Sequence, residues 1–176
     1  YVVFGKENGF ENSLNLSSLD GSTGFVINGI DVGDTSGFSV SSAGDMNGDG
    51  FDDILIGSFR GDPNGINSGE SYVVFGKESG FDDSLDLSSL DGSTGFVING
   101  IDAEDHSGFS VGSAGDINGD GFDDILIGAR LADPNASNSG ESYVVFGKEN
   151  GFDDSLDLSS LDGSTGFVIN GIDAED

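Results

Sequence analysis

Asp45-Met46-Asn47-Gly48-Asp49-Gly50-Phe51-Asp52-Asp53 runs straight into the apolar segment Ile54-Leu55-Ile56-Gly57. The pattern returns 71 residues later as Asp116-Ile117-Asn118-Gly119-Asp120-Gly121-Phe122-Asp123-Asp124, followed by Ile125-Leu126-Ile127-Gly128. Oxygen-bearing side chains fall at positions 1, 3, 5 and 9 of each copy, and a glycine at position 6. Alternating Asp and Asn around a glycine turn is how a short loop surrounds a hard cation such as Ca2+ with oxygens. The expected ligands are the side chains of Asp45, Asn47, Asp49 and Asp53 with the Phe51 carbonyl. Asp116, Asn118, Asp120, Asp124 and the Phe122 carbonyl repeat the set. Gly50 and Gly121 permit the sharp reversal, while Asp52 and Asp123 at position 8 are expected to point into solvent.

An EF-hand also opens Asp-x-Asp/Asn-x-Asp-Gly, but it needs a glutamate at position 12 and flanking helices. Position 12 here is Ile56 or Ile127, inside an apolar run. The alternative to a metal site is an Asx-rich hairpin turn that holds no ion. Catalytic metal chemistry is a poorer reading, because no His or Cys neighbours either loop and all-oxygen cages mostly serve structure.

Repetition extends along the whole chain. Tyr1-Val2-Val3-Phe4-Gly5-Lys6 recurs from Tyr72 and Tyr143, and residues 72–105 differ from 143–176 only at Ser79 versus Asn150. Each period holds four strand-like runs separated by Gly, Asn, Asp and Ser: 37–41, 54–57, 71–76 and 95–101. The second is continuously apolar, as in a strand buried on both faces. Leu85–Leu90 could form a helical turn, and an ordered loop packing its leucines is the preferred reading. Four short strands per repeat is a β-propeller blade. The expected fold is therefore all-β, with complete blades at 35–105 and 106–176 and a half blade at 1–34. Two and a half blades do not close a ring of about four to eight, so the chain reads as part of a larger propeller or array. A run starting at Tyr1 without an initiator Met fits that expectation.

The pattern Gly-Phe-Ser-Val, Ala-Gly-Asp-x-Asn-Gly-Asp-Gly-Phe-Asp-Asp-Ile-Leu-Ile-Gly and Tyr-Val-Val-Phe-Gly resembles the FG-GAP repeat of integrin α-subunit propellers and their bacterial relatives. The resemblance covers both full periods and the half period. It implies a seven-bladed, extracellular, calcium-stabilised propeller used in adhesion, with calcium ligands at Asp45, Asn47, Asp49, Asp53, Asp116, Asn118, Asp120 and Asp124. The Gly-Ala-Pro that closes the family motif is replaced by Gly57-Ser58-Phe59 and Gly128-Ala129-Arg130.

Charge narrows the partners. In 176 residues, 33 Asp and Glu oppose five Lys and Arg, for a formal net charge of −28. Nucleic acids and anionic bilayers are repelled by such a surface, and no apolar run reaches the 18 residues of a spanning helix. Disorder is argued against by 14 Phe and the alternating apolar runs. The absence of cysteine removes disulfides, thiolate sites and cysteine catalysis.

Other motifs carry little. His106, the single histidine, is replaced by Thr35 in the other copy and is assigned to the surface; no Ser-His-Asp set or phosphate loop can be built. Arg60-Gly61-Asp62 reads Arg130-Leu131-Ala132-Asp133 in its counterpart, which argues for chance. Asn15-Leu16-Ser17 and Asn135-Ala136-Ser137 fit the glycosylation pattern.

These readings converge on a secreted or cell-surface structural module, not an enzyme, that binds two Ca2+ ions. Its partners would be protein or carbohydrate at a cell surface, or further copies of itself. Two alternatives stand beside it: an accessory propeller of a secreted polysaccharide lyase or phospholipase, and an open repeat filament.

Overall fold

The computed structural model describes residues 1–149 and 151–174; Asn150, Glu175 and Asp176, which belong to the expected 106–176 blade, lie outside the described residues. The described residues are all β apart from three single 3-10 turns. The strands are β1 (Val2–Val3), β2 (Gly24–Asn28), β3 (Ser39–Gly44), β4 (Asp53–Ser58), β5 (Glu70–Val74), β6 (Ser84–Asp86), β7 (Gly95–Asn99), β8 (Ser107–Gly115), β9 (Asp124–Ala129), β10 (Glu141–Val145), β11 (Ser155–Asp157) and β12 (Gly166–Asn170). No helix among them is long and apolar enough to cross a membrane.

Three sheets result. β3, β4, β5 and β7 form an antiparallel meander, and β8, β9, β10 and β12 repeat it. β1 and β2 pair antiparallel in the third. Each meander is a blade of the propeller type, and the ring is not closed. Ile54-Leu55-Ile56 lies inside the central strand β4 with both faces covered, as its unbroken apolar character requires. Leu55 and Val73 face one neighbour, whereas Ile56, Tyr72 and Val74 face the other, because successive side chains in a strand point to opposite sides. The two cores therefore lie between sheets. One joins Leu55, Val73, Phe96 and Ile98 to Ile125, Ile127, Tyr143 and Leu158; the other joins Ile56, Tyr72 and Val74 to Ile27, Phe81 and Leu87.

Residues 85–90 depart from the loop reading. Leu85 and Asp86 belong to β6, which adds in parallel to the outer strand of the preceding sheet, with Ile27 opposite Leu85 and Asn28 opposite Asp86. β11 does the same to β7, with Ile98 opposite Leu156 and Asn99 opposite Asp157. A 3-10 turn follows each, placing Leu87 and Leu158 in the core. Three residues of Ser-Leu-Asp carry no strand signal of their own; the open edge of the neighbouring sheet makes them a strand.

Candidate metal loops

Each candidate loop joins the first and second strands of its blade, β3 to β4 and β8 to β9. Locally the chain folds as successive Asx turns. The Asn47 side-chain carbonyl accepts the Asp49 N–H at 2.9 Å, and Asp49 Oδ1 accepts the Phe51 N–H at 2.9 Å. Asp45 accepts from Asp49 N–H through one oxygen and Gly50 N–H through the other, at 3.0 and 2.9 Å. The Asn47 amide donates to Asp49 Oδ2 at 3.1 Å. The second loop repeats these bonds with Asp116, Asn118 and Asp120, and adds Gly119 N–H to Asp116 at 2.7 Å. Gly48 and Gly50 sit at φ of 72° and 90°, a region that costs any residue with a Cβ.

Asp53 closes the loop differently. Its carboxylate is buried and bridges two strands' worth of backbone, accepting Met46 N–H and Gly76 N–H at 2.9 Å each. Asp124 accepts Ile117 N–H and Gly147 N–H at the same distance. Burial raises the Asp53 pKa to about 7, opposed by the two N–H donors and assisted by Asp49 and Asp45. Asp124 is raised for the same first reason, and Asp120 adds to it. An acid kept from ionising by its surroundings gains from a cation placed beside it.

The structure thus brings Asp45, Asn47, Asp49 and Asp53 into one nine-residue loop, and Asp116, Asn118, Asp120 and Asp124 into the other. Phe51 and Phe122 occupy the reversal between the third ligand and β4 or β9. Among the described residues no three His, Cys, Asp or Glu side chains converge on a common point as a ready metal cage. Backbone N–H groups serve as the positive partners of these carboxylates, each oxygen keeping a second lone pair except Asp116 Oδ1, which accepts from both Gly119 and Asp120. The donor set is entirely hard oxygen, and it fits Ca2+ or Mg2+ and not a soft transition metal. To gather around one ion, Asn47 and Asp49 would exchange their mutual contact for the metal.

Position 8 divides between the copies. Asp52 is exposed, as expected. Asp123 is not solvated: it is half-buried and accepts the Asp45 N–H at 2.9 Å, while its own N–H donates to the Asp45 carbonyl at 3.2 Å. Lys148 N–H bonds the Met46 carbonyl at 2.9 Å, and the Phe122 ring lies over Gly48. The two loops therefore abut along one rim, the second braced against the backbone of the first. Sequence reasoning missed this seam because position 8 has the same residue in both copies, and only the presence of a preceding blade distinguishes them.

His106 also differs from its surface assignment. Its side chain is largely covered, its ring is 5.2 Å from that of Phe59, and burial, with Arg130 next in weight, lowers its pKa. Glu104 Oε2 lies 3.8 Å from its Nε2.

Comparison with known proteins follows the loops. The FG-GAP repeat family matches residues 36–74 and 107–145, spans that contain both loops and the strands they join. The chain carries two FG-GAP repeats. Similar proteins include integrin alpha-PS2 of Drosophila melanogaster, 28% identical over 145 residues, and integrin alpha ina-1 of Caenorhabditis elegans, 30% over 131. The phosphatidylinositol-glycan-specific phospholipase D of Bos taurus is 30% identical over 117 residues. These alignments cover 80%, 72% and 65% of this chain, but 9%, 11% and 14% of those proteins.

Proposed function

We propose that the two FG-GAP loops bind Ca2+ and that the chain serves as a calcium-stabilised structural or adhesion module outside the cell. The observation that carries the reading is the placement of two loops with the same oxygen-bearing residues at equivalent corners of adjacent blades. Asp45, Asn47, Asp49 and Asp53 would hold one ion, and Asp116, Asn118, Asp120 and Asp124 the other. A bound divalent cation supplies the positive charge that a chain of net charge −28 lacks. The residues themselves do the mechanical work. Asp53 fixes the start of the loop to the exit of β5, and Asp124 does so for β10, so each loop ties three strands at one corner. Similarity to integrin α chains supports a protein partner at a cell surface and an extracellular setting.

No chemistry is assigned to this chain. Its likeness to the phospholipase D favours a second reading, an accessory propeller beside a catalytic domain. Calorimetric titration of the chelated chain with CaCl2 tests the site. Two binding events are expected for the parent chain and one each for Asp49→Ala and Asp120→Ala. Unchanged stoichiometry in both variants would make the loops turns and not sites.

A further inference from the structure

The first metal loop lies against the second along the internal seam between the two four-stranded blades, and the contacts fall on its ligand-bearing end. Asp45, the expected first ligand, has both backbone groups engaged by Asp123 of the other loop. Its N–H donates to Asp123 Oδ2 at 2.9 Å, and its carbonyl accepts the Asp123 N–H at 3.2 Å. The Asp123 carboxylate fits there because Gly44 has no side chain. Gly44 sits at φ 69°, and a Cβ on it would lie 2.1 Å from Asp123 Oδ2. One residue beyond Asp45, the Met46 carbonyl accepts Lys148 N–H at 2.9 Å. The Met46 side chain is fully buried in the core that the two blades share. The Phe122 ring occupies the space over Gly48, its nearest carbon 2.4 Å from where a Cβ would stand.

These contacts start beside the expected ligands of the second loop. Asp123 directly precedes Asp124, and Asp124 accepts the N–H of Gly147, the neighbour of Lys148. Both links to the first loop therefore run from one corner of the second blade. With its main chain pinned on both sides, the Asp45 carboxylate is aimed into its own loop, where its two oxygens accept Asp49 N–H and Gly50 N–H. Groups that hold a ligand without touching the ion govern metal affinity, because they fix the ligand's direction.

We infer that Asp123, although it belongs to the second loop, is a positioning residue of the first calcium site, which is thus completed by the second blade. The inference rests on the calcium reading of the loops. Position along the chain assigns Asp123 to the second site, one residue from Asp124. The hydrogen bonds assign it to the first. Alanine at 123 removes the acceptor of the Asp45 N–H, whereas asparagine keeps an amide oxygen in its place and removes only the charge.

Calorimetric titration of the chelated chain with CaCl2 tests the assignment, since Asp120→Ala leaves the first site and Asp49→Ala the second. In the Asp120→Ala chain, adding Asp123→Ala is expected to weaken calcium binding about 10-fold, the low end for an outer partner of a metal ligand. Adding Asp123→Asn instead should recover most of that loss. In the Asp49→Ala chain, Asp123→Ala should leave the affinity nearly unchanged. An undiminished first site, a larger loss at the second, or an asparagine variant as weak as the alanine one each overturns the inference while the loops remain calcium sites. A parent chain that takes up no calcium overturns the calcium reading, and the inference with it. If Asp123→Ala loses the far-ultraviolet strand signal, Asp123→Leu, close to asparagine in size but without an acceptor, replaces it with the same expected outcomes.

Discussion

Gly57 and Gly128 occupy the same place in the two Ile-Leu-Ile-Gly strands, yet alanine should be costly at one and nearly neutral at the other. A Cβ built on Gly57 would lie 2.1 Å from the Gly108 carbonyl oxygen and 2.3 Å from Ser39 Oγ. That carbonyl belongs to β8 of the adjacent blade and accepts the Ser39 hydroxyl at 2.8 Å. With optimal non-bonded separations near ~3.5 Å, β8 must retreat by about 1 Å. Overpacking of this kind costs about 1–3 kcal/mol, and loss of the Ser39 bond adds about 1 kcal/mol. At Gly128 the same Cβ meets only Ser110 Oγ, at 2.4 Å, and the nearest backbone atom is 3.7 Å away. A hydroxyl can rotate, and the reduced freedom of the unfolded chain returns about 0.4–1 kcal/mol. Urea unfolding of Gly57→Ala and Gly128→Ala should therefore differ by about 2–4 kcal/mol, a gap of roughly 4–16 °C in Tm for a chain of this size. Equal losses would refute the claim that adjacent blades are packed backbone to backbone at β4 and β8.

Three further outcomes follow from the seams and the charge. Phe152→Ala should cost about 2–4 kcal/mol in chemical denaturation, since its ring stacks on Phe96 and lies 5.5 Å from Phe75. Phe10→Ala, at the equivalent but exposed position, should stay within about 0.5 kcal/mol. Asp105 is buried beside Asp102, Glu141 and Asp133, and burial first, then these charges, raise its pKa to about 6. A raised folded-state pKa means that its favourable contribution is complete below the ordinary 3.8 and is lost as pH rises through 6. Asp105→Asn should accordingly raise Tm at pH 8 and leave it nearly unchanged at pH 4, as thermal melts across that range would show.

Much of the fold was legible because each strand announces itself. Gly-Phe-Ser-Val, Ile-Leu-Ile-Gly, Tyr-Val-Val-Phe and Gly-Phe-Val-Ile all lie in or against β-strands within a few residues of the expected positions. The loops, too, were legible as units, since nine residues decide their Asx turns locally. What the sequence hid lies between repeats. β6 and β11 exist only because a partner edge lies 58 residues away in the chain, between Asn28 and Asp86 or Asn99 and Asp157. Asp52 and Asp123 share a local sequence but not a neighbour, so one is solvated and the other is pinned to Asp45. Near-identical repeats carry identical local signals, and burial then depends on whether another blade is present.

The central claim, that the paired loops are calcium sites that hold the blades together, is tested most directly by thermal unfolding with and without calcium. Extracellular modules bind with Kd of ~10⁻⁴ to 10⁻³ M. At about 10 mM calcium, mass action then gives roughly 1.4–2.7 kcal/mol per site, or about 3–5 kcal/mol for two. A Tm higher by roughly 6–20 °C in calcium than in chelator, at matched ionic strength, is the predicted result. An unchanged Tm would contradict the account and leave the loops as turns alone.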